Sequence, residues 1–228
     1  MGAYDGLSKL SSKGLVETAK ELGYSEDNIL ILEGKEEELK QRFPEVWKNI
    51  LSCSRQMDKR VPMKYAQDVV ATWVFEDALI NALKKNGLPI FHNGCDKNRT
   101  ILPNSSITPN SDAKIIIGQK VIPLEIMCDY SLTWTKYKKI DLRNNKMFNL
   151  QRNNSLFIGV SVLNKKVILL DFSNNIKYTY IEKHSFYGNK PVYSIDISNE
   201  NFFDFKISLL VKELQEICNK KCLCPPRA

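Results

Sequence analysis

Hydrophobic positions change their period along this chain, helical at both ends and strand-like between. Leu7, Leu10, Leu15, Val16, Ala19 and Leu22 recur at helical spacing and stop at Gly23. Ser25 and Asp27 stand where a cap opens a second, short helix through Leu32, and Gly34 breaks it. Glu36 to Leu51 predicts a third helical stretch, interrupted at Pro44. The longest helical pattern runs from Tyr65 to Lys85, where Val69, Val70, Trp73, Val74, Ala78, Leu79 and Leu83 form one broad stripe ahead of an Asn86-Gly87 stop.

Beyond Gly87 the pattern shortens. Leu88 to Phe91 predicts a short strand, followed by a polar, turn-rich loop from His92 to Thr100. Two apolar runs, Ala113 to Ile117 and Val121 to Tyr130, flank a Gly118-Gln119-Lys120 turn and predict a β-hairpin. Leu156 to Val162 and Val167 to Phe172 are nearly continuous apolar runs, as expected of central strands buried on both faces. Further strands are expected around Lys177 to Glu182 and Val192 to Ile197, then a closing amphipathic helix from Phe202 to Cys218. The predicted class is α/β, a mixed central β-sheet flanked by helices with an N-terminal helical region. Residues 1–62 form that region, 63–218 the core, and 219–228 a disordered tail.

At 228 residues, 43% of them hydrophobic, the chain can bury a substantial core. The net charge of +7 favours a polyanionic partner. No apolar run approaches the roughly 20 residues of a membrane span, and no signal-like block opens the chain, so a cytoplasmic protein without a membrane partner is expected. Cys53, Cys95 and Cys128 are scattered, and Cys218, Cys222 and Cys224 lack a second ligand pair, so no closed zinc site is predicted. With His92 and His184 the only histidines, a His-based hydrolase has little support.

The candidate chemistry lies in the hairpin. Alternation puts Glu125, Met127 and Asp129 on one face, and Asp112, at the start of the paired strand, reaches the same side. Two carboxylates on a rigid sheet suit Mg²⁺, a hard ion that wants oxygen ligands and keeps waters for a phosphate substrate and its nucleophile. The spacing of Asp112 and Glu125-Ile126-Met127, continued by Asp129-Tyr130, Trp134 and Lys138 to Lys146, resembles the PD-(D/E)xK nuclease superfamily and, within it, type II restriction endonucleases. The resemblance covers roughly residues 64 to 172. It implies a restriction-endonuclease-like core and Mg²⁺-dependent, sequence-specific cleavage of double-stranded DNA, carried out by a homodimer. It also implies that Asp112 and Glu125 bind metal, that position 127 carries the lysine serving the attacking water, and that a helix offers a further carboxylate, for which Glu76 is the candidate.

Position 127 departs from that pattern, because methionine neither carries charge nor donates a hydrogen bond. Three readings stand side by side. The chain is a Lys-to-Met variant of a cleaving enzyme; or Lys114, Lys138, Lys139 or Lys146 supplies the charge; or the protein binds DNA without cutting it. A repair or junction nuclease on the same core is a related reading.

The densest basic stretch is Lys136, Lys138, Lys139, Arg143, Lys146 and Arg152, set against Asp141 and interleaved with Trp134, Tyr137 and Phe148. Such cations neutralise phosphates and release counterions, which makes this the candidate DNA-contact segment. In the loop upstream, Lys97 and Arg99 are candidates for phosphate, and His92 and Asn93 for base edges.

Overall fold

A computed structural model describes residues 12–57, 61–107, 110–185, 188–198 and 202–223. The chain divides into two compact units, residues 1–85 with 94–108 and residues 86–93 with 109–228. The long helix Pro62–Lys85 groups with the helices before it.

The first unit is helical: α1 (Ser12–Glu21), α2 (Glu26–Glu33), α3 (Glu36–Arg42), α4 (Pro44–Met57) and α5 (Pro62–Lys85). Gly34 closes α2 at φ +73°, a left-handed conformation that costs glycine nothing. Leu7 and Leu10 lie outside the described residues. Ala19, Leu30, Ile31, Leu39, Ile50, Val70 and Val74 bury into one core. The loop 94–108 is stitched to this unit: Asn28 Nδ2 donates to the Arg99 carbonyl at 2.7 Å, and Asn49 Nδ2 to the Ile101 carbonyl at 2.9 Å.

The second unit carries β1 (Ile90–His92), β2 (Ala113–Ile117), β3 (Lys120–Asp129), α6 (Thr133–Tyr137), β4 (Lys139–Arg143), α7 (Asn144–Arg152), β5 (Leu156–Ser161), β6 (Lys166–Asp171), β7 (Tyr178–His184), β8 (Lys190–Asp196), β9 (Phe203–Asp204) and α8 (Ile207–Leu223). Six strands form a mixed central sheet in the order β1-β2-β3-β5-β6-β9. Its β3–β5 pair is parallel and its other pairs are antiparallel. A mixed sheet flanked by helices, with a helical N-terminal region, is the expected class.

Two details differ from expectation. Lys139–Arg143 is a strand, and it joins β8 and β7 in a separate three-stranded sheet instead of extending the central one. Helix α8 continues to Leu223 and so takes in the first part of the expected disordered tail; residues 224–228 lie outside the described residues. Lys221 anchors that last turn, its ammonium 2.6 Å from Asp171 Oδ1 and donating to Ser173 Oγ at 2.9 Å. On the central sheet, Phe157, Ile168 and Leu170 join Trp134, Ile140, Leu142, Met147, Leu150 and Ile195 in one apolar cluster, which seats α6, α7 and the small sheet against β5 and β6.

Candidate functional site

The hairpin register brings Asp112 and Glu125 together. Ala113 pairs with Leu124, so Asp112, one residue ahead of β2, falls opposite Glu125 on the same face. Here β2 has not yet begun, and the side chain stands in for the ladder: the Ile126 N–H donates to Asp112 Oδ2 at 2.8 Å. From the other side, the Asn93 N–H donates to the Asp112 carbonyl at 2.9 Å, and Asn93 Nδ2 donates to Ser111 Oγ at 3.2 Å. Asp112 is thus held by its backbone and by one carboxylate oxygen.

Glu125 is 5% exposed. Its pKa is pushed up to about 8 from an ordinary 4.5, first by burial and then by the adjacent Asp112 charge, while Lys146 pulls it down. Lys146 forms an ion pair with Glu125 Oε1. The lysine comes from α7, whose rotation is set by Met147 and Leu150, 1% and 2% exposed in the apolar cluster. Lys146 sits on the flank beside them, 38% exposed, and reaches β3 from outside the strand.

Met127 has a different neighbourhood. It is half-buried and packs against the apolar cluster. Its partner on β5 is Gly159, and a Cβ there would come within 2.9 Å of Trp134 Cζ3 and 2.8 Å of Ile168 Cγ2. The missing side chain gives the Trp134 ring its place on the sheet. Asp129, the third acid on this face, is occupied locally: its carboxylate accepts from the Ser131 N–H at 2.9 Å, the Ser131 hydroxyl at 2.8 Å and the Trp134 N–H at 3.0 Å, which turns β3 into α6.

Among the described residues no group of three or more His, Cys, Asp or Glu side chains is placed to hold a metal ion. A cation here would have two carboxylates, Asp112 and Glu125, and would need water for the rest of its shell, an arrangement Mg²⁺ tolerates. The like charge that raises the Glu125 pKa is the charge a cation would offset.

The other expected site residues fall in both units. Glu76 lies in the helical unit, where its Oε2 is 3.2 Å from Arg99 Nη1. Arg99 was expected to hold phosphate. Its side chain is instead 11% exposed and gripped by Asp77 through Nε at 3.0 Å and also through Nη2, with Asp96 3.8 Å away. Tyr24 donates to Asp77 Oδ2 at 2.6 Å, and burial, then the Asp77 charge, pushes its hydroxyl pKa up. The guanidinium is committed to holding loop 94–108 on the helices, while Lys97 in the same loop is exposed. In the second unit Lys136, Lys138, Lys139, Arg143 and Arg152 are all exposed.

The supporting role of Asn93 and the helix cap supplied by Asp129 were missed from sequence. From sequence Asn93 is a candidate only for base edges, not a support for the strand start at Asp112. No helix among the described residues is long and apolar enough to cross a membrane. Compared with known proteins, the chain matches no family model and no curated protein.

Proposed function

We propose that this chain is a Mg²⁺-dependent, sequence-specific endonuclease of double-stranded DNA, of the type II restriction kind, acting in the cytoplasm as a homodimer. The observation that carries the reading is the convergence of Asp112 and Glu125 across the β2–β3 pair, with the Lys146 ammonium on Glu125. In this reading the lysine's work has moved from strand position 127 to helix α7.

Asp112 and Glu125 hold the cation. The chemistry a bound Mg²⁺ supplies is neutralisation of phosphate charge and a lowered pKa of bound water. Lys146 pairs with Glu125 and places a proton donor at the edge of the site. Its ammonium supplies what methionine lacks, stabilisation of a developing phosphorane oxygen and orientation of the attacking water. The exposed cations from Lys136 to Arg152 hold the flanking phosphates.

Incubating the protein with mixed-sequence plasmid and Mg²⁺, then sequencing the ends, tests this reading. Discrete fragments with one recurrent end sequence are expected, lost in EDTA and in Glu125→Gln. DNA binding without cleavage by the unmodified protein would instead favour the non-catalytic reading, which the apolar seat of Met127 supports.

A further inference from the structure

The face of the central sheet that carries Asp112 and Glu125 is covered on one half and open on the other. Over β5 and β6 it is packed by Trp134 of α6, Met147 and Leu150 of α7, and Ile140 and Leu142 of the small sheet. Over β1, β2 and the first half of β3 it is open: Phe91 is 42% and Val121 57% exposed, while Ile90 and Ile122, which alternate with them onto the other face, are buried. A polyanion that brings a phosphodiester to the two carboxylates crosses this open half.

Lys114 of β2 is the strand cation on that half. Its register partners are Phe91 on β1 and Pro123 on β3, and Ile116 pairs with Val121 one step further along, so the residues beside it on this face are apolar. Lys120, the other cation of the hairpin, alternates onto the opposite face, where its ammonium donates to the Lys221 carbonyl of α8 at 2.7 Å. Lys114 is half-buried. Lys146 is held by Glu125, whereas Lys114 makes no ion pair among the described residues. An ammonium with apolar walls and no ion-pair partner suits an anion that the substrate brings, and lysine grips phosphate as a point charge.

Spacing narrows which phosphate. Lys114 follows Asp112 by two positions on one side of the sheet, about 6.8 Å by the strand rise. That is close to the step between successive phosphates along one nucleic-acid strand. We propose that Lys114 binds the phosphate next to the one that Asp112 and Glu125 engage, and so fixes the register of the cut strand across the open face. The inference rests on the nuclease reading for the identity of the anion. It gives Lys114 a task separate from that of Lys146: a grip on the neighbouring phosphate, made already in the ground state, instead of charge at the reacting one.

The test pairs binding with cleavage. Binding of a labelled DNA duplex in EDTA is followed by fluorescence anisotropy at several salt concentrations for the unmodified protein, Lys114→Met, Lys114→Arg and, on α8, Lys212→Met, each checked for an unchanged circular dichroism melt. Methionine keeps the stem and removes the charge, so the slope of log affinity against log salt is expected to become shallower by about 1. Arginine at 114 and the Lys212 variant are expected to leave the slope unchanged. With plasmid and Mg²⁺, Lys114→Met is expected to raise KM by about tenfold and keep kcat within about threefold, the pattern of a contact made equally in the ground and transition states. If Lys114→Met unfolds, Lys114→Gln carries the same comparison. An unchanged slope, a loss in Lys114→Arg as large as in Lys114→Met, the same change in Lys212→Met, or a fall in kcat with KM unchanged would each overturn the proposal. Cutting by the unmodified protein with no effect of Lys114 on the slope removes the phosphate contact alone. A shallower slope in Lys114→Met with no cutting by the unmodified protein removes the nuclease reading alone and leaves Lys114 as a contact to DNA.

Discussion

Lys146 of helix α7 and Glu125 of strand β3 form an ion pair on the face of the sheet where Asp112 also lies. The pair brings a positive charge to the carboxylates from a second element of the fold, while the strand position two residues beyond Glu125 is given to Met127 and apolar packing. Removing either carboxylate should separate the roles. Asp112→Asn and Glu125→Gln are each expected to lower Mg²⁺-dependent cleavage by at least about a hundredfold. Salt-dependent DNA affinity in EDTA should stay within about threefold, since phosphate contacts carry most of it. Plasmid cleavage time courses beside filter-binding isotherms check both halves.

The buried carboxyl makes stability depend on pH. An acid whose folded pKa lies above its unfolded value keeps a proton in the folded state over the interval between them, so stability falls as pH rises through that interval. For Glu125 the interval runs from 4.5 to about 8, set by burial and Asp112 against Lys146. In EDTA the melting temperature should fall between about pH 5 and about pH 8 more steeply in the unmodified protein than in Glu125→Gln. Added Mg²⁺ should raise it more at the upper end of that range, because ligation requires the deprotonated form. Identical pH profiles for the two proteins would contradict the assignment.

Gly159 tests the packing beneath Met127. A Cβ at this position would come within 3 Å of Ile168, Phe157 and Trp134 together. Gly159→Ala is expected to destabilise the protein by about 1–3 kcal/mol through overpacking. Urea denaturation monitored by tryptophan fluorescence measures it, and Trp134→Leu in the same chain should recover part of the loss.

Arg99 should act on stability instead of DNA affinity. Replacing it with methionine leaves Asp77 and Glu76 buried without their guanidinium, at 9% and 5% exposed, a loss of about 3–5 kcal/mol. Tyr24→Phe, which removes one hydrogen bond to Asp77, should cost about 1 kcal/mol. The slope of log affinity against log salt should be unchanged in Arg99→Met and shallower in Lys139→Ala or Arg143→Ala, as titrations at several salt concentrations would show.

Much of this architecture was legible because its cues are local. Gly34 closes α2 at positive φ, and the Gly118 turn with its flanking alternation specified both the hairpin and the face shared by Asp112 and Glu125. Strand β4 was hidden because Ile140 and Leu142 alternate within a run of charged residues that reads equally well as loop. The separation of β4, β7 and β8 from the central sheet was not readable either, since the period of a strand says which residues share a face and nothing about which sheet it joins. At the site, Lys146 was one of several candidate lysines. Selecting it required the rotation of α7, which depends on how Met147 and Leu150 seat against β5 and β6. Arg99 looked like a surface cation for the same reason: its carboxylate partners on α5 are distant in sequence.

The most direct test moves the charge. Plasmid cleavage with Mg²⁺ is compared among the unmodified protein, Lys146→Met, and Lys146→Met combined with Met127→Lys. The account predicts cutting by the first, a loss of at least about a hundredfold in the second, and recovery of at least about tenfold when the lysine is returned to strand β3. Cleavage by Lys146→Met at the unmodified rate would contradict it.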